Sequence, residues 1–173
     1  MSSLDNLWPA PPYRVEVLPD ATARLRFREM TEADLPHIET LDIGGSRGPA
    51  GWIEWTRGSY AEHGFGLWVV ETHAGEFVGD CGLTMQEVEG EWFVEAGWHV
   101  RSRLRRQGYA AEAAEAVRQA ASAAGVEHLI AIIRPTNLAS QRVAARIGLS
   151  LEREVHKNGG PALVFGADLH PPR

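Results

Sequence analysis

The sequence predicts a mixed α/β fold (α+β) built on a central, mostly antiparallel sheet. Three observations carry this. Strand-like runs at residues 66–71, 77–86 and 91–100 are joined by short turns at His73-Ala74-Gly75 and Val88-Glu89-Gly90, and sequential hairpins make antiparallel neighbours. From Tyr109 onward the apolar spacing changes from two to the period of a helix. A last strand pair, at residues 149–155 and 162–168, flanks the turn-forming Asn158-Gly159-Gly160-Pro161.

The elements follow in order. Residues 1–22 hold Pro9, Pro11, Pro12 and Pro19 with little periodicity, and read as an N-terminal arm that packs through Leu7, Trp8 and Tyr13. Residues 23–173 then form a single domain. Ala23-Arg24-Leu25-Arg26-Phe27-Arg28 alternates as a strand does, and Thr31-Glu32-Ala33-Asp34 resembles a helix start, with Leu35, Ile38 and Leu41 spaced for one buried face. Pro36 falls in the first turn, where proline is tolerated. Residues 44–51 read as a glycine-rich loop before a short helix that carries Trp52 and Trp55, with Tyr60 beyond. In the helix at 110–124, Ala113, Ala116, Val117, Ala120 and Ala124 share a face of small residues suited to close packing on a sheet, and Gly125 supplies the stop. Residues 127–134 form a strand and 137–147 a second helix ended by Gly148.

Composition narrows the function. The chain has 173 residues, a net charge of -6 and one cysteine, Cys81, which excludes an internal disulfide and a cysteine-cluster zinc site. The seven histidines show no paired spacing with carboxylates, so no metal is expected. No apolar run approaches a membrane span and no basic-then-apolar leader opens the chain; a cytoplasmic protein without a membrane partner is expected. The acidity argues against a nucleic-acid partner. Against that background Arg101, Arg103, Arg105 and Arg106 form one basic spot, which suits a small anionic ligand.

Three groups of residues could carry chemistry. Arg105, Arg106, Gln107, Gly108, Tyr109 and Ala110 form a basic, glycine-containing turn that feeds a helix N-terminus, where free amides and the helix dipole favour phosphate. The bland alternative is a solvated helix entry. In the strand at 91–100, Trp92, Val94, Ala96, Trp98 and Val100 fall on one face and Phe93, Glu95, Gly97 and His99 on the other; Glu95 is a carboxylate in mid-sheet, where partial burial raises its pKa toward that of a general base. An exposed sheet face is the alternative. Asn137 and Ser140 project from one side of their helix, and simple capping by Asn137 is the alternative there.

Together Val94-Glu95-Ala96-Gly97-Trp98-His99-Val100, Arg105-x-x-Gly108-x-Ala110, and Asn137-x-x-Ser140 with Arg146-Ile147-Gly148-Leu149 resemble the GNAT family of acyl-CoA-dependent N-acyltransferases. The similarity spans about residues 23–168 and is greatest to the RimJ/RimL-like branch of ribosomal-protein N-terminal acetyltransferases. The resemblance implies helices on both faces of the sheet and acetyl-CoA as co-substrate. It implies that the amides of 105–110 hold the CoA diphosphate, that the main chain at Trp98, His99 and Val100 bonds the pantetheine arm as an added strand, and that Asn137 meets the pantetheine or thioester end. It also implies Glu95 as the base, acting through a water, and direct attack of the free amine on the thioester in a ternary complex. Many family members carry a tyrosine seven residues after the asparagine as the acid for the departing thiolate; this chain has Ala144 there, and Ser140 is the substitute the branch suggests.

The resemblance implies an amine acceptor, either a protein N-terminus or a small molecule, with its pocket expected between the early helices and the last hairpin. That nominates Trp52, Trp55, Tyr60, Phe65 and His156, for which a packed helix face and a surface histidine are the plain alternatives. Cys81 has no accompanying base and is expected as a buried strand residue rather than an acyl-carrying nucleophile. A non-catalytic acyl-CoA sensor is the alternative function; Glu95 counts against it, because holding CoA needs no carboxylate near the thioester. A homodimer stays open.

Overall fold

The computed structural model describes residues 13–170. Leu7 and Trp8 of the expected arm lie outside the described residues. Seven strands form one sheet in the order β1-β2-β3-β4-β5-β7-β6: β1 (Leu25–Arg28), β2 (Leu67–Thr72), β3 (Phe77–Val88), β4 (Glu91–Val100), β5 (His128–Ile133), β6 (Ser150–Lys157) and β7 (Gly160–Asp168). Every pairing is antiparallel except β4 with β5.

Alternation along the strands sends side chains to two cores. On one face, Val70, Val94 and Ala96 pack against Ala113, Ala114, Val117 and Ala121 of α3 (Tyr109–Ala123) and Ala144 of α4 (Leu138–Arg146). The small side chains of α3 allow its backbone close to the sheet. On the other face, Val69 and Phe77 pack against Ile38 of α1 (Leu35–Glu39) and Ile53 of α2 (Gly48–His63). Neighbouring Val69 and Val70 thus serve opposite faces. Burying each such aliphatic or aromatic side chain contributes about 1.5–3 kcal/mol before chain entropy is counted.

The segment after β1 opens with a 3-10 turn, Glu32–Asp34, capped by Thr31, whose backbone amide in turn donates to Asp34. Pro36 sits in the first turn of α1. Ile38 and Leu41 are buried, whereas Leu35 is only partly covered. The expected loop at 44–51 is shorter than the glycines suggested. A 3-10 turn at Gly45–Arg47 runs into α2 at Gly48, Pro49 occupies the first turn, and Gly64 ends the helix at φ 79°. The described part of the arm docks on that end, where the Val15 and Val17 amides donate to the carbonyls of His63 and Gly64, and Tyr13 packs on Phe65. No helix among the described residues is long and apolar enough to cross a membrane.

Candidate active site

The β4–β5 pairing runs only through Val94 with Leu129 and Glu95 with Ile130. Beyond it the two strands part, and β5 continues beside β7 alone. The Arg101 amide donates to Val78 of β3, so along β4 the main-chain groups of His99 and Gly97 turn to β3, while those of Ala96, Trp98 and Val100 turn to the gap. Trp98 and Val100 therefore border an open edge, with the Val100 carbonyl also receiving Arg105 Nε at 3.0 Å. The His99 backbone belongs to the β3 ladder.

Glu95 stands where the ladder stops. Its Oε2 accepts the Ile132 amide at 3.2 Å, in place of a strand carbonyl, and its Oε1 accepts the Thr84 hydroxyl at 3.1 Å. Burial pushes the Glu95 carboxyl up to about 7, and the Thr84 and Ile132 bonds and the charges of His99 and Lys157 pull only partly against it. A group with that affinity is half ionised at neutral pH, which suits a general base.

On the α3 side of the sheet lies the basic turn. Arg106 at φ 63° and Gly108 at φ 81° coil its main chain, a backbone of the kind that forms anion-binding concavities. Gly108 is the N-cap residue of α3, and the first intrahelical bond runs from the Glu112 amide to its carbonyl, leaving the amides of Tyr109, Ala110 and Ala111 without helical partners. Arg24, which no motif singles out, braces this turn: Nη1 donates to the Gln107 carbonyl at 2.9 Å, Nε pairs with Glu112 at 2.8 Å, and the guanidinium lies 4.4 Å from the Tyr109 ring centroid. Glu112 in the first turn of α3 would repel an anion. Against the effect of burial, bonds from Thr22 and Arg24 hold it ionised and offset its charge.

On the α2 side, a cavity of about 600 Å³ is lined by Trp52, Trp55, Thr84, Glu95, His99, Lys157 and others. Two of its lining residues are held by Asp80, which is fully buried, with Oδ1 2.7 Å from His99 Nδ1 and Oδ2 accepting Trp52 Nε1 at 2.9 Å. Burial lowers the His99 affinity for a proton, but the adjacent Asp80 outweighs it and holds the imidazole above its usual value. Trp52 meets His99 edge-on at 5.7 Å and Trp55 at 5.2 Å.

The predicted site residues thus divide. Glu95, Trp52, Trp55 and His99 share the cavity. Tyr60 and Phe65 do not: Phe65 is fully buried in the core, and the Tyr60 hydroxyl is spent between the Met30 amide and the Leu67 carbonyl, where burial pushes its pKa up. His156 is exposed; strand alternation on β6 gives the cavity Lys157 instead. Asn137 is the cap of α4, its Oδ1 accepting the Ser140 amide at 3.1 Å, and Ser140 is partly buried in the first turn. Cys81 is buried and burial pushes its thiol up, which removes it as a nucleophile. Asp80, Arg47 and Lys157 were missed, since each is a single charged residue in an unremarkable stretch; only the shared alternation of Asp80 with Thr84 across from Glu95 and His99 could have signalled the first.

The fold has counterparts among known proteins. The family model for the acetyltransferase (GNAT) domain matches residues 24–150. The uncharacterized protein YkkB of Bacillus subtilis is 30% identical over 158 residues, covering 83% of this chain and 92% of that protein. An acetyltransferase from Agrobacterium tumefaciens superposes with a TM-score of 0.75 at 26% identity, over 88% of this chain and 95% of its own. RimL, the ribosomal L7/L12 alpha-N-protein acetyltransferase solved with coenzyme A, superposes at 0.71 with 14% identity, over 91% of this chain and all of its own, and shares the fold. With the family model spanning most of the sheet and both flanking helix pairs, the chain belongs to the GNAT acetyltransferase family.

Proposed function

We propose that the protein transfers the acetyl group of acetyl-CoA to a primary amine by direct attack within a ternary complex. The observation that carries this is the place of Glu95: a carboxyl with a pKa of about 7 at the end of the β4–β5 pairing, between a phosphate-type turn on one face of the sheet and an aromatic-lined cavity on the other.

The residues fit the donor. The coiled turn at 105–110 and the free amides of α3 would hold the diphosphate, and the open edge at Trp98 and Val100 would bond the pantetheine as an added strand. RimL, of the same fold, is solved with coenzyme A. The Asn137 amide nitrogen is left for the donor while its oxygen caps α4. The bound thioester supplies a carbonyl carbon open to attack by an amine.

Glu95 takes the proton from the acceptor ammonium, directly or through one water. The amide of Trp98 or Val100 at the open edge faces the developing oxyanion, and the Ser140 hydroxyl donates to the departing thiolate. Thr84 and the Ile132 amide keep the Glu95 carboxylate oriented during the transfer. The acceptor is a small amine or a peptide N-terminus. Release of CoA from acetyl-CoA, measured against a panel of amines, amino acids and peptides, tests the reading: saturable release with some acceptor supports it, and tight CoA binding with no turnover of any acceptor contradicts it.

A further inference from the structure

The cavity on the α2 side is not electrically neutral. Its charged lining groups are Arg47, Glu95, His99 and Lys157. Asp80 lies beneath His99 at 2.7 Å and the two offset one another, which leaves two cations against the single carboxylate of Glu95. This local excess runs against a chain whose net charge is -6. The acidic side chains nearest along α2, Glu54 and Glu62, line an adjoining groove that Arg47 and Trp55 also border, and not this cavity.

The cations are held apart from Glu95 by separate elements. Arg47 leads into α2, with its guanidinium 4.7 Å from the Trp55 ring centroid, and from there the rings of Trp55, Trp52 and His99 continue as one wall down to Asp80. Lys157 comes from the end of β6 on the hairpin side, its Nζ donating to the Glu87 carbonyl at 2.7 Å. With Nδ1 committed to Asp80, His99 keeps Nε2 for a ligand. An acceptor bearing only an ammonium would meet one carboxylate and two cations, with nothing of its own to offset the excess positive charge.

Resting on the transferase reading above, we infer that the acceptor is an amine that also carries a carboxylate, its nitrogen directed to Glu95 and its carboxylate to Arg47 and Lys157. The volume of about 600 Å³ suits a small molecule or the first residues of a peptide, and the Trp52 and Trp55 rings would cover the stem between the two charged ends. Free amino acids and peptides with an acidic residue near the N-terminus share this chemistry.

The test compares kcat/KM, with acetyl-CoA saturating, for free amino acids and their carboxamides, and for short peptides with Asp or Asn next to the free N-terminus. The acid is expected to exceed its neutral counterpart by at least about tenfold, as charge-assisted contacts do; whether the amino acid or the peptide shows the larger ratio identifies the source. In the Arg47→Gln, Lys157→Gln double variant the ratio falls toward one, through KM, while CoA affinity stays within about threefold, a check on folding. Equal turnover of acid and amide, or a preference that survives in the double variant, overturns this inference and leaves the transferase reading standing. Absence of turnover with every amine while CoA still binds overturns both.

Discussion

Glu95 shows how one residue couples stability to chemistry. Folding takes a carboxyl that ionises near 4.5 in the open chain and raises it to about 7. Between those values the folded protein binds more protons than the unfolded chain, so stability falls as pH rises through the window. At ~1.4 kcal/mol per pKa unit the cost above pH 7 is on the order of 3 kcal/mol. Glu95→Gln, which keeps an acceptor for Thr84 or Ile132 without the charge, is expected to melt higher than wild type at pH 8, with the difference disappearing near pH 4; thermal unfolding at the two pH values measures it. Glu95 was legible because alternation on β4 made it the one carboxylate between Trp92 and Val100. Its partner Thr84, and Asp80 under His99, lie across a hairpin where only the strand register reveals the pairing. Tyr60 and Phe65 misled for the opposite reason: an aromatic near a pocket-forming helix looks the same in sequence whether it faces ligand or core.

At the scale of elements, glycines mark where the backbone must do what side chains forbid. At Gly108 a Cβ would face both a φ of 81° and Arg24 Nη2 at 3.4 Å. Gly108→Val is expected to weaken CoA binding by at least about tenfold and to cost about 1–2 kcal/mol of stability, read by calorimetric titration and by urea unfolding. In β3 the constraint is packing, since a Cβ at Gly82 would overlap the Gly66 carbonyl oxygen. Gly82→Ala is expected to cost about 3 kcal/mol or more by urea unfolding, with loss of soluble protein as the extreme outcome. Strands and the two later helices were legible from period and turn residues. The start of α2 was not, because Gly48-Pro49 reads as a loop signal although proline is at home in a first turn. The Asn137 cap was legible as an alternative, and the structure adopts it without consuming the amide nitrogen.

At the scale of the molecule, the sheet separates two jobs. The α3 face carries the basic turn and the α2 face the aromatic cavity, and Glu95 lines that cavity where the β4–β5 pairing ends. A ligand bridging the gap holds together elements distant in sequence, β4, β5, α3 and α4, so binding should stabilise the whole domain. At a hundredfold excess over its dissociation constant, CoA is expected to add about 2.7 kcal/mol, a rise of roughly 5–10 °C in Tm for a chain of this size; the Gly108→Val protein at the same concentration should show a much smaller rise. The antiparallel hairpins and alternating helices of this design were legible, but the parting of β4 from β5 was not, because no residue type signals the absence of a partner.

The proposed role of Glu95 as the base for acetyl transfer to an amine is tested most sharply by the pH dependence of kcat/KM for wild type and Glu95→Gln with one common acceptor. The acceptor's own ionisation is shared by both proteins and cancels in their ratio. The ratio of wild type to variant is expected to climb through about pH 7 to a plateau of about 10²–10⁴, with CoA affinity unchanged within about threefold; a ratio that stays near one across pH would rule Glu95 out as the base.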